Sequence, residues 1–352
     1  MRKNKSQFGD FDSGSGADLI VPISRNVDLL NDGLRLEFEN STVVKSKDFK
    51  IPRNVYRAML EVYVSFHENN ESWYANSVNE YVSLNNLSVP GNGAFRGVVV
   101  SLDEMVAGAV WPFTVIYTGG ANPLFWRPIG GIGSFDLPSY DIEITPLLGK
   151  ILDGSSHKFS FRVTDALNVW YVDANLYLWL DGESMKTEGK SLKCSCSTLP
   201  FYRECRSIIL TGMVKSSYGT ITTKSSQGLS YISYMVMGNE GNLQIVDQII
   251  EFNDTVYAAM PSSSVYSLES FKKYLFQVVF EQYRSRKPKL CVSNVTLELE
   301  DKRVKSFEYG SFVSAVNSLQ KAEGYMIVKG LASTRQVYDY NDDSCGLHDT
   351  SR

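Results

Sequence analysis

Alternating apolar and polar positions mark several stretches of this chain as half-buried β-strands. The clearest run is 170–180, WYVDANLYLWL, in which nearly every second side chain is apolar while Asp173, Asn175 and Tyr177 point to the opposite face. A period of two is typical of antiparallel strands that pack one face on a core. The same alternation recurs in three other runs, 57–66, 159–163 and 295–299.

Turn-forming residues separate these runs. Pro-Gly-Asn-Gly stands at 90–93, and Asp-Gly pairs stand at 153–154 and 181–182. Short strands at this spacing predict a mainly β fold built of antiparallel jelly-roll or β-sandwich domains. Two short helices are predicted as well, at 267–276 and 310–323.

Composition and charge narrow the classes of function. Apolar residues make up 43% of the 352 residues, enough for sizeable cores, and the 20 Tyr and 18 Phe favour strands. With 35 Lys and Arg against 39 Asp and Glu, the net charge of −4 gives no attraction to nucleic acid or anionic membranes. No apolar run is long enough for a membrane-spanning helix. Residues 1–18 are basic and then polar, so we expect a flexible leader without a signal-peptide core.

Cysteine and histidine usage argues against a metal site. Cys194, Cys196 and Cys205 lie close together, but a zinc site needs a fourth ligand. The three His are scattered along the chain and supply none. Disulfides or free thiols are therefore the favoured interpretation, and no metal is predicted.

Four carboxylates are candidates for acid–base chemistry. In the run YDIEIT, Asp141 and Glu143 lie on one strand face, roughly 6.5–7 Å apart, where they could act as acid and base. The alternative is that they form the solvated side of a half-buried strand. Asp136 either caps a turn or faces a cleft. Asp103 either forms a hairpin turn or is a functional carboxylate at the end of a strand.

Aromatic residues beside glycines suggest a sugar-binding surface. Trp126 could stack on the flat face of a sugar, and Arg127 could steady an oxyanion. Neighbouring glycines would let a ligand approach the backbone. The alternative is a core tryptophan beside a surface arginine. Trp111 is a second aromatic candidate for glycan binding, although a core position is the favoured interpretation.

The common catalytic motifs are missing from the sequence. It contains no G-x-S-x-G and no H-E-x-x-H, and Gly-Gly-Ile-Gly at 130–133 lacks the Lys and helix of a phosphate loop. With three scattered His, serine or cysteine nucleophiles have no evident base. Any chemistry is therefore expected to use carboxylates and water.

Five sequons could carry glycans, and one stands out. Asn294 lies on the polar face of the alternating run 295–299, from which a glycan could project. The full set of candidate glycosylation sites is Asn40, Asn70, Asn86, Asn253 and Asn294.

Long segments of the chain resemble the plant peptide:N-glycosidase A family, the peptide-N-(N-acetyl-β-glucosaminyl)asparagine amidases A. The resemblance covers most of 18–338. It is carried by IPRNVYRAMLEVYVSFHENNESWYAN, FWRPIGGIGSFDLPSYDIEITPLLGKILDG, LNVWYVDANLYLWLDG and YMVMGNEGNLQIVDQIIEFNDTVY.

That resemblance implies a hydrolase of the amide between N-acetylglucosamine and asparagine, acting on N-glycoproteins or N-glycopeptides without a cofactor. It also implies jelly-roll domains and a secreted or vacuolar location. One of Asp103, Asp136, Asp141 and Glu143 would activate water, with Arg127 holding the oxyanion and Trp126 the sugar. No motif known for the family decides which carboxylate is the base.

Departures from the family pattern predict a truncated member with an incomplete first domain. Alternatives to an active enzyme are a glycan-binding protein without catalysis and an unstable fragment. The predicted segments are a leader at 1–18, a remnant of the first β-sandwich domain at 19–88, a second jelly-roll domain at 89–185, a linker at 186–206, a C-terminal β-rich domain at 207–338 and a loose tail at 339–352.

Overall fold

The computed structural model describes most of the chain and consists chiefly of antiparallel strands. The described residues are 16–24, 35–115, 137–198, 205–239, 242–260, 263–283, 289–307, 310–329 and 331–349. The strands in them are β1 (Leu19–Pro22), β2 (Leu36–Phe38), β3 (Lys45–Phe49), β4 (Val55–Phe66), β5 (Val98–Leu102), β6 (Met105–Val110), β7 (Tyr140–Glu143), β8 (His157–Val163), β9 (Trp170–Leu180), β10 (Glu188–Thr198), β11 (Cys205–Ser216), β12 (Gly219–Gly238), β13 (Leu243–Met260), β14 (Ser263–Tyr283), β15 (Lys289–Phe307), β16 (Gly310–Lys329) and β17 (Leu331–Asp349).

Helical structure is limited to short pieces in the described residues. The two α-helices are α1 (Asn79–Leu84) and α2 (Leu148–Ile151), and the 3₁₀ turns are Glu68–Asn70, Trp73–Ala75 and Thr145–Leu147. No helix in this part of the chain is long and apolar enough to cross a membrane.

The strands form three sheets. The front sheet has the order β1–β9–β4–β7, with β2 also paired to β9. The back sheet has the order β3–β8–β5–β6, and the C-terminal sheet runs from β10 to β17 as a meander of consecutive neighbours. All of these pairings are antiparallel, so the predicted mainly β, antiparallel class is confirmed. Jelly-roll connectivity stays a prediction.

The front and back sheets share one hydrophobic core. The inward positions of β4 and β9 are apolar and buried, including Leu60, Val62 and Leu176, and Phe159 and Phe161 of β8 belong to the same cluster. This is the alternation that the sequence predicts, because one face of each strand packs inward. The alternating outward positions of β4 and β9 remain available for a functional surface.

The C-terminal sheet packs its inner face against the other two sheets. Its aromatic rings contact rings in the segments that follow β4 and β6: between ring centroids, Phe276 lies 4.6 Å from Tyr74 and Tyr274 lies 4.8 Å from Phe113. Gln248 Nε2 also donates to the Tyr74 carbonyl at 2.8 Å. These contacts fix the C-terminal sheet over one end of the front sheet.

Two glycines allow a close backbone approach at this junction. A Cβ at Gly149 would lie 2.6 Å from the Lys190 backbone, and one at Gly212 would lie 2.1 Å from the Pro146 carbonyl oxygen. No side chain fits at those separations, so glycine lets the turn before β8 lie directly on β10 and β11.

Both predicted helices were wrong, because 267–276 lies in β14 and 310–323 lies in β16. The inner positions of β14 include Ser270 and Lys272, and those of β16 include Ser318 and Gln320. Polar residues at inward positions interrupt the apolar period of two, which removes the signal that identifies a strand.

Three structural findings bear on the predicted segments. Strands of 19–88 pair with strands of 89–185, as β4 does with both β7 and β9. The segment 186–206 contains strand β10, and the tail as far as Asp349 belongs to β17. The polar composition of β10 fits its position at the edge of a sheet, where little of it packs inward. The segment boundaries themselves stay predictions.

Truncating the aromatic core should weaken the fold. Trp170 is 0% exposed and packs on Phe66 and Trp73 at centroid distances of 5.0 and 6.0 Å. Trp170→Ala should lower the free energy of unfolding by about 3–5 kcal/mol, because it leaves a cavity. Urea titration measures this change. Tyr234→Ala, at a residue 62% exposed, is the control and should change stability by less than about 0.5 kcal/mol. Equal losses in the two variants would contradict the assigned core.

Candidate functional site

A cavity of about 170 Å³ lies where the C-terminal sheet covers the outer face of the front sheet. Cavities of about 150 Å³ hold a single six-membered ring, so this one has room for one ring-sized group. The front sheet contributes Arg57, Met59, Asp141, Glu143 and Trp179, and the C-terminal sheet contributes Asp254, Val256, Tyr266, Leu268, Ser270, Lys272, Arg303 and Lys305.

Strand register brings the charged groups of the C-terminal sheet together. Asp254 on β13 is directly opposite Ser270 on β14, which in turn is opposite Arg303 on β15. In the adjacent row, Lys272 is opposite Asp301. Directly opposed side chains in an antiparallel pair lie about 4.5–5.5 Å apart at Cβ, so these rows form one compact charged cluster.

Asp254 is the most perturbed carboxylate of the cavity. Burial raises the pKa of Asp254 to about 7, although Lys272 and a hydrogen bond from Gln227 act in the opposite direction. Its Oδ1 atom is buried and has no hydrogen-bond partner among the described residues. A carboxyl of this kind holds its proton near neutral pH and can give it to a bound group.

Two cations lie beside that carboxyl and share one counter-ion. Arg303 binds Asp301 through two hydrogen bonds of 3.1 and 3.2 Å, and Lys272 Nζ lies 3.7 Å from Asp301 Oδ2. Burial lowers the pKa of Lys272, whereas Asp301 opposes the shift. Asp141 and Asp254 act on these cations as well, so protonation of Asp254 leaves positive charge available to a further anionic group.

The two carboxylates predicted on β7 take different roles. Glu143 is buried, with Oε2 3.5 Å from Arg57 and Oε1 accepting a hydrogen bond from Thr145. Asp141 is exposed at the opening of the cavity, where partial loss of solvent raises its pKa and Arg303 opposes the shift. Glu143 is therefore held in a buried ion pair, whereas the carboxylate of Asp141 is accessible from the opening.

Aromatic rings form one wall of the cavity. Trp179 and Tyr266 both lie against the Arg57 guanidinium, whose carbon is 4.5 and 5.2 Å from the two ring centroids. Cation–π contact and the Glu143 ion pair hold Arg57 in place against this wall.

Asp103 lies away from the cavity in a separate polar cluster. It forms the β5–β6 hairpin turn with Glu104, and both residues have positive φ, as the favoured two-residue hairpin turn requires. His157 Nδ1 is 2.7 Å from Asp103 Oδ2, and His157 Nε2 is 2.9 Å from Asp153 Oδ1. The turn interpretation of Asp103 thus fits the structure, and a role in the cavity does not.

Trp111 is a core residue in the structure. It is buried and packs on Phe252 of the C-terminal sheet at 5.8 Å between ring centroids, so it offers no face to a glycan. Asp136, Trp126 and Arg127 lie outside the described residues, and their predicted roles stay predictions.

Sequence reasoning missed six charged residues of the site: Arg57, Asp254, Lys272, Asp301, Arg303 and Lys305. A signal for one of them was present. In IEFNDTVYA, Asp254 lies in phase with Phe252 and Val256 on the packed face of the strand. Burying a charged side chain on the packed face of a strand costs free energy unless it is paired, so such a break in the alternation indicates a candidate site residue.

Comparison with known proteins identifies the family of the chain. Residues 5–196 match the family described as peptide N-acetyl-beta-D-glucosaminyl asparaginase amidase A, and residues 204–276 match the PNGase A C-terminal domain. This chain belongs to the peptide N-glycosidase A family. A peptide-N4-(N-acetyl-beta-glucosaminyl)asparagine amidase A from Prunus dulcis is 56% identical over 93% of the chain. The chain spans 60% of that relative's length. No solved structure matches this chain.

The sequons of this family member differ in accessibility. Asn40, Asn86, Asn253 and Asn294 are exposed, and the last two lie on the outer face of the C-terminal sheet. Asn70 is 0% exposed, and its Oδ1 accepts hydrogen bonds from Arg96 and Leu167. The folded chain has no room for a glycan on Asn70, so glycosylation there is disfavoured.

Removing the imidazole of His157 should destabilise the peptide N-glycosidase A fold in a pH-dependent way. Burial lowers the pKa of His157, but hydrogen bonds to Asp103 and Asp153 outweigh it and the net shift is upward. Because the pKa of His157 is higher in the folded chain than in the unfolded chain, its protonation stabilises the fold. This contribution is complete at pH values below the ordinary histidine pKa and is lost as the pH rises through the folded-state pKa.

His157→Gln should therefore lower the melting temperature by several degrees near pH 5 and by less near pH 9, because only the acidic condition has the imidazolium to lose. Thermal unfolding followed by circular dichroism measures the difference. His67→Gln, at an exposed histidine, is the matched control. An identical loss at both pH values would show that the ion pairs do not contribute.

Proposed function

We propose that this chain hydrolyses the amide bond between N-acetylglucosamine and an asparagine side chain, releasing the N-glycan and leaving aspartate. The name of the Prunus dulcis relative describes this amidase activity, and the chain belongs to the same family. The observation that carries the proposal is the cavity, where two carboxylates in different environments lie beside Lys272 and Arg303.

Asp141 acts as the general base in this proposal. It lies at the opening, where water reaches it. Loss of solvent raises the pKa of Asp141, which makes it a stronger base, and the cations opposite limit that shift. Asp141 takes a proton from a water molecule, whose oxygen attacks the amide carbon. A water nucleophile needs only a positioned carboxylate, which fits the lack of a serine or cysteine motif.

Lys272 and Arg303 stabilise the oxyanion that forms on the amide oxygen. Positive groups in a partly dry cavity act more strongly than in water. As the carbon–nitrogen bond breaks, the protonated Asp254 gives its proton to the leaving nitrogen. The products are the aspartate side chain and a glycan that carries an amino group at its first carbon. Solvent then returns a proton to Asp254 and removes one from Asp141.

The environments of the two carboxylates support this division of roles. A buried acid beside a more exposed base is the usual arrangement in paired acid–base catalysis. N-glycopeptides and N-glycoproteins are the proposed substrates, and an oxidising secretory compartment is the proposed location. The disulfide formed by Cys196 supports an oxidising compartment.

Replacing Asp254 tests the mechanism. Asp254→Asn keeps the size of the side chain but cannot donate the proton, so kcat/KM on an N-glycopeptide should fall by about 10²–10⁴-fold. In the unmodified protein kcat/KM should decline above about pH 7, as Asp254 loses its proton, and the variant should lack this decline. Mass spectrometry in ¹⁸O-labelled water measures the reaction, since the new aspartate gains one labelled oxygen.

A matched control lies on the same strand. Asp247 occupies the outer face of β13, where it accepts a hydrogen bond from Gln277. Asp247→Asn should retain the unmodified rate and pH profile. Unchanged kinetics in Asp254→Asn would overturn the role of Asp254, and glycan binding without labelled aspartate in the unmodified protein would show a binding protein instead of an amidase.

A further inference from the structure

The outer face of the front sheet continues beyond the cavity as a row of aromatic and polar side chains. Strand pairing places Asp141 opposite Glu61, Glu61 opposite Asn175, and Tyr63 opposite Asp173. Tyr177 occupies the same face, one step nearer the cavity. Five of these outward residues form what we call the tyrosine track: Glu61, Tyr63, Asp173, Asn175 and Tyr177.

The track is continuous with the cavity. Met59, which lines the cavity, pairs with both Glu143 and Tyr177, and the next outward residues on β4 are Glu61 and Tyr63. From Met59 to Tyr63 the strand rises by about 13 Å. A chain-like ligand can therefore place its first group in the cavity beside Asp141 and lay its following groups on the surface of β4 and β9.

The chemistry of the track fits neutral sugars. Tyr63 is 38% exposed, which leaves ring surface for the C–H face of a pyranose. Tyr177 Oη donates to Glu61 Oε2 at 2.7 Å, and Tyr63 and Ser139 also hydrogen-bond to Glu61, so the polar groups of the track are held in one network on which sugar hydroxyl groups can dock. Asn175 can both donate and accept hydrogen bonds.

Charge on the track distinguishes between possible occupants. Asp141, Glu61 and Asp173 give the surface three carboxylates. Like charges repel a phosphorylated or sialylated glycan and an acidic peptide, whereas neutral hydroxyl groups are good partners for carboxylates. An oligosaccharide of neutral hexoses is therefore the occupant that the surface favours.

A second observation places a ligand at the cavity end of the track. The buried Oδ1 atom of Asp254 has no partner among the described residues, and it lies among the groups that line the cavity. Buried polar atoms normally have partners, so a ligand atom is the natural partner for this one. The track would then hold the remainder of the same molecule.

We infer that the tyrosine track binds the outer, neutral sugars of the N-glycan whose first N-acetylglucosamine lies at the cavity. This inference rests on the proposed function for the orientation of the glycan. It makes the protein selective for extended glycans over a single N-acetylglucosamine, because stacking on Tyr63 is available only to sugars beyond the first.

The test compares two substrates of the full chain. One is an asparagine peptide that carries a single N-acetylglucosamine, and the other is the same peptide with a high-mannose glycan. In Tyr63→Ala, the ratio of kcat/KM for the extended over the short substrate should fall by about tenfold, because a stacked ring contributes on this scale. Tyr63→Trp keeps an aromatic face and should restore the ratio. Tyr234→Ala, on the C-terminal sheet, is the control.

A binding measurement separates this inference from the proposed function. Isothermal titration calorimetry with free high-mannose oligosaccharide should show binding to the unmodified protein and to Asp254→Asn, and a loss of about tenfold in Tyr63→Ala. If neither peptide is cleaved but this binding pattern is found, the track is supported and the amidase proposal fails. If cleavage occurs with an unchanged substrate ratio in Tyr63→Ala, or if the oligosaccharide does not bind, the track is overturned.

Discussion

The pairing of β4 with β9 is the constraint on which the rest of the structure depends. These two long strands run antiparallel from Val55 to Phe66 and from Trp170 to Leu180. Their inward side chains supply the centre of the core, and β1, β2 and β7 add to their edges. Their outward side chains form both the floor of the cavity and the tyrosine track, so the same pairing supports stability and the candidate site.

The C-terminal sheet shows how a packed surface can hold charge. Lys272 is buried on its inner face, as are large aromatic rings such as Tyr274. Burying an unpaired ammonium group is costly, and here the Asp301 carboxylate, which Arg303 also binds, offsets part of that cost. Networks of this kind seldom improve stability over apolar packing, so their presence at a cavity points to function.

Strands were predicted best from the sequence where one face of the strand is apolar and the other is polar. The alternation at β9 and β4 identified both strands and the faces that they present, since packing on a single core enforces a period of two. The same reasoning misread β14, because Ser270 and Lys272 occupy inward positions beside the cavity. On β7, Asp141 and Glu143 had equivalent patterns, and only the position of Arg57 on a distant strand separates them. Pairing between remote strands decides a site of this kind, and local sequence does not encode it.

The separation of the two central strands along the chain has a consequence for biosynthesis. Phe66 pairs with Trp170, so β4 must wait until about 100 further residues have been made. At about 5–20 residues per second, that interval is on the order of 5–20 s, during which the apolar face of β4 has no native cover. Contacts this distant also slow folding after release. The chain is therefore expected to depend on chaperones while it emerges, and its cavity, which needs strands as far along the sequence as β15, is completed later still.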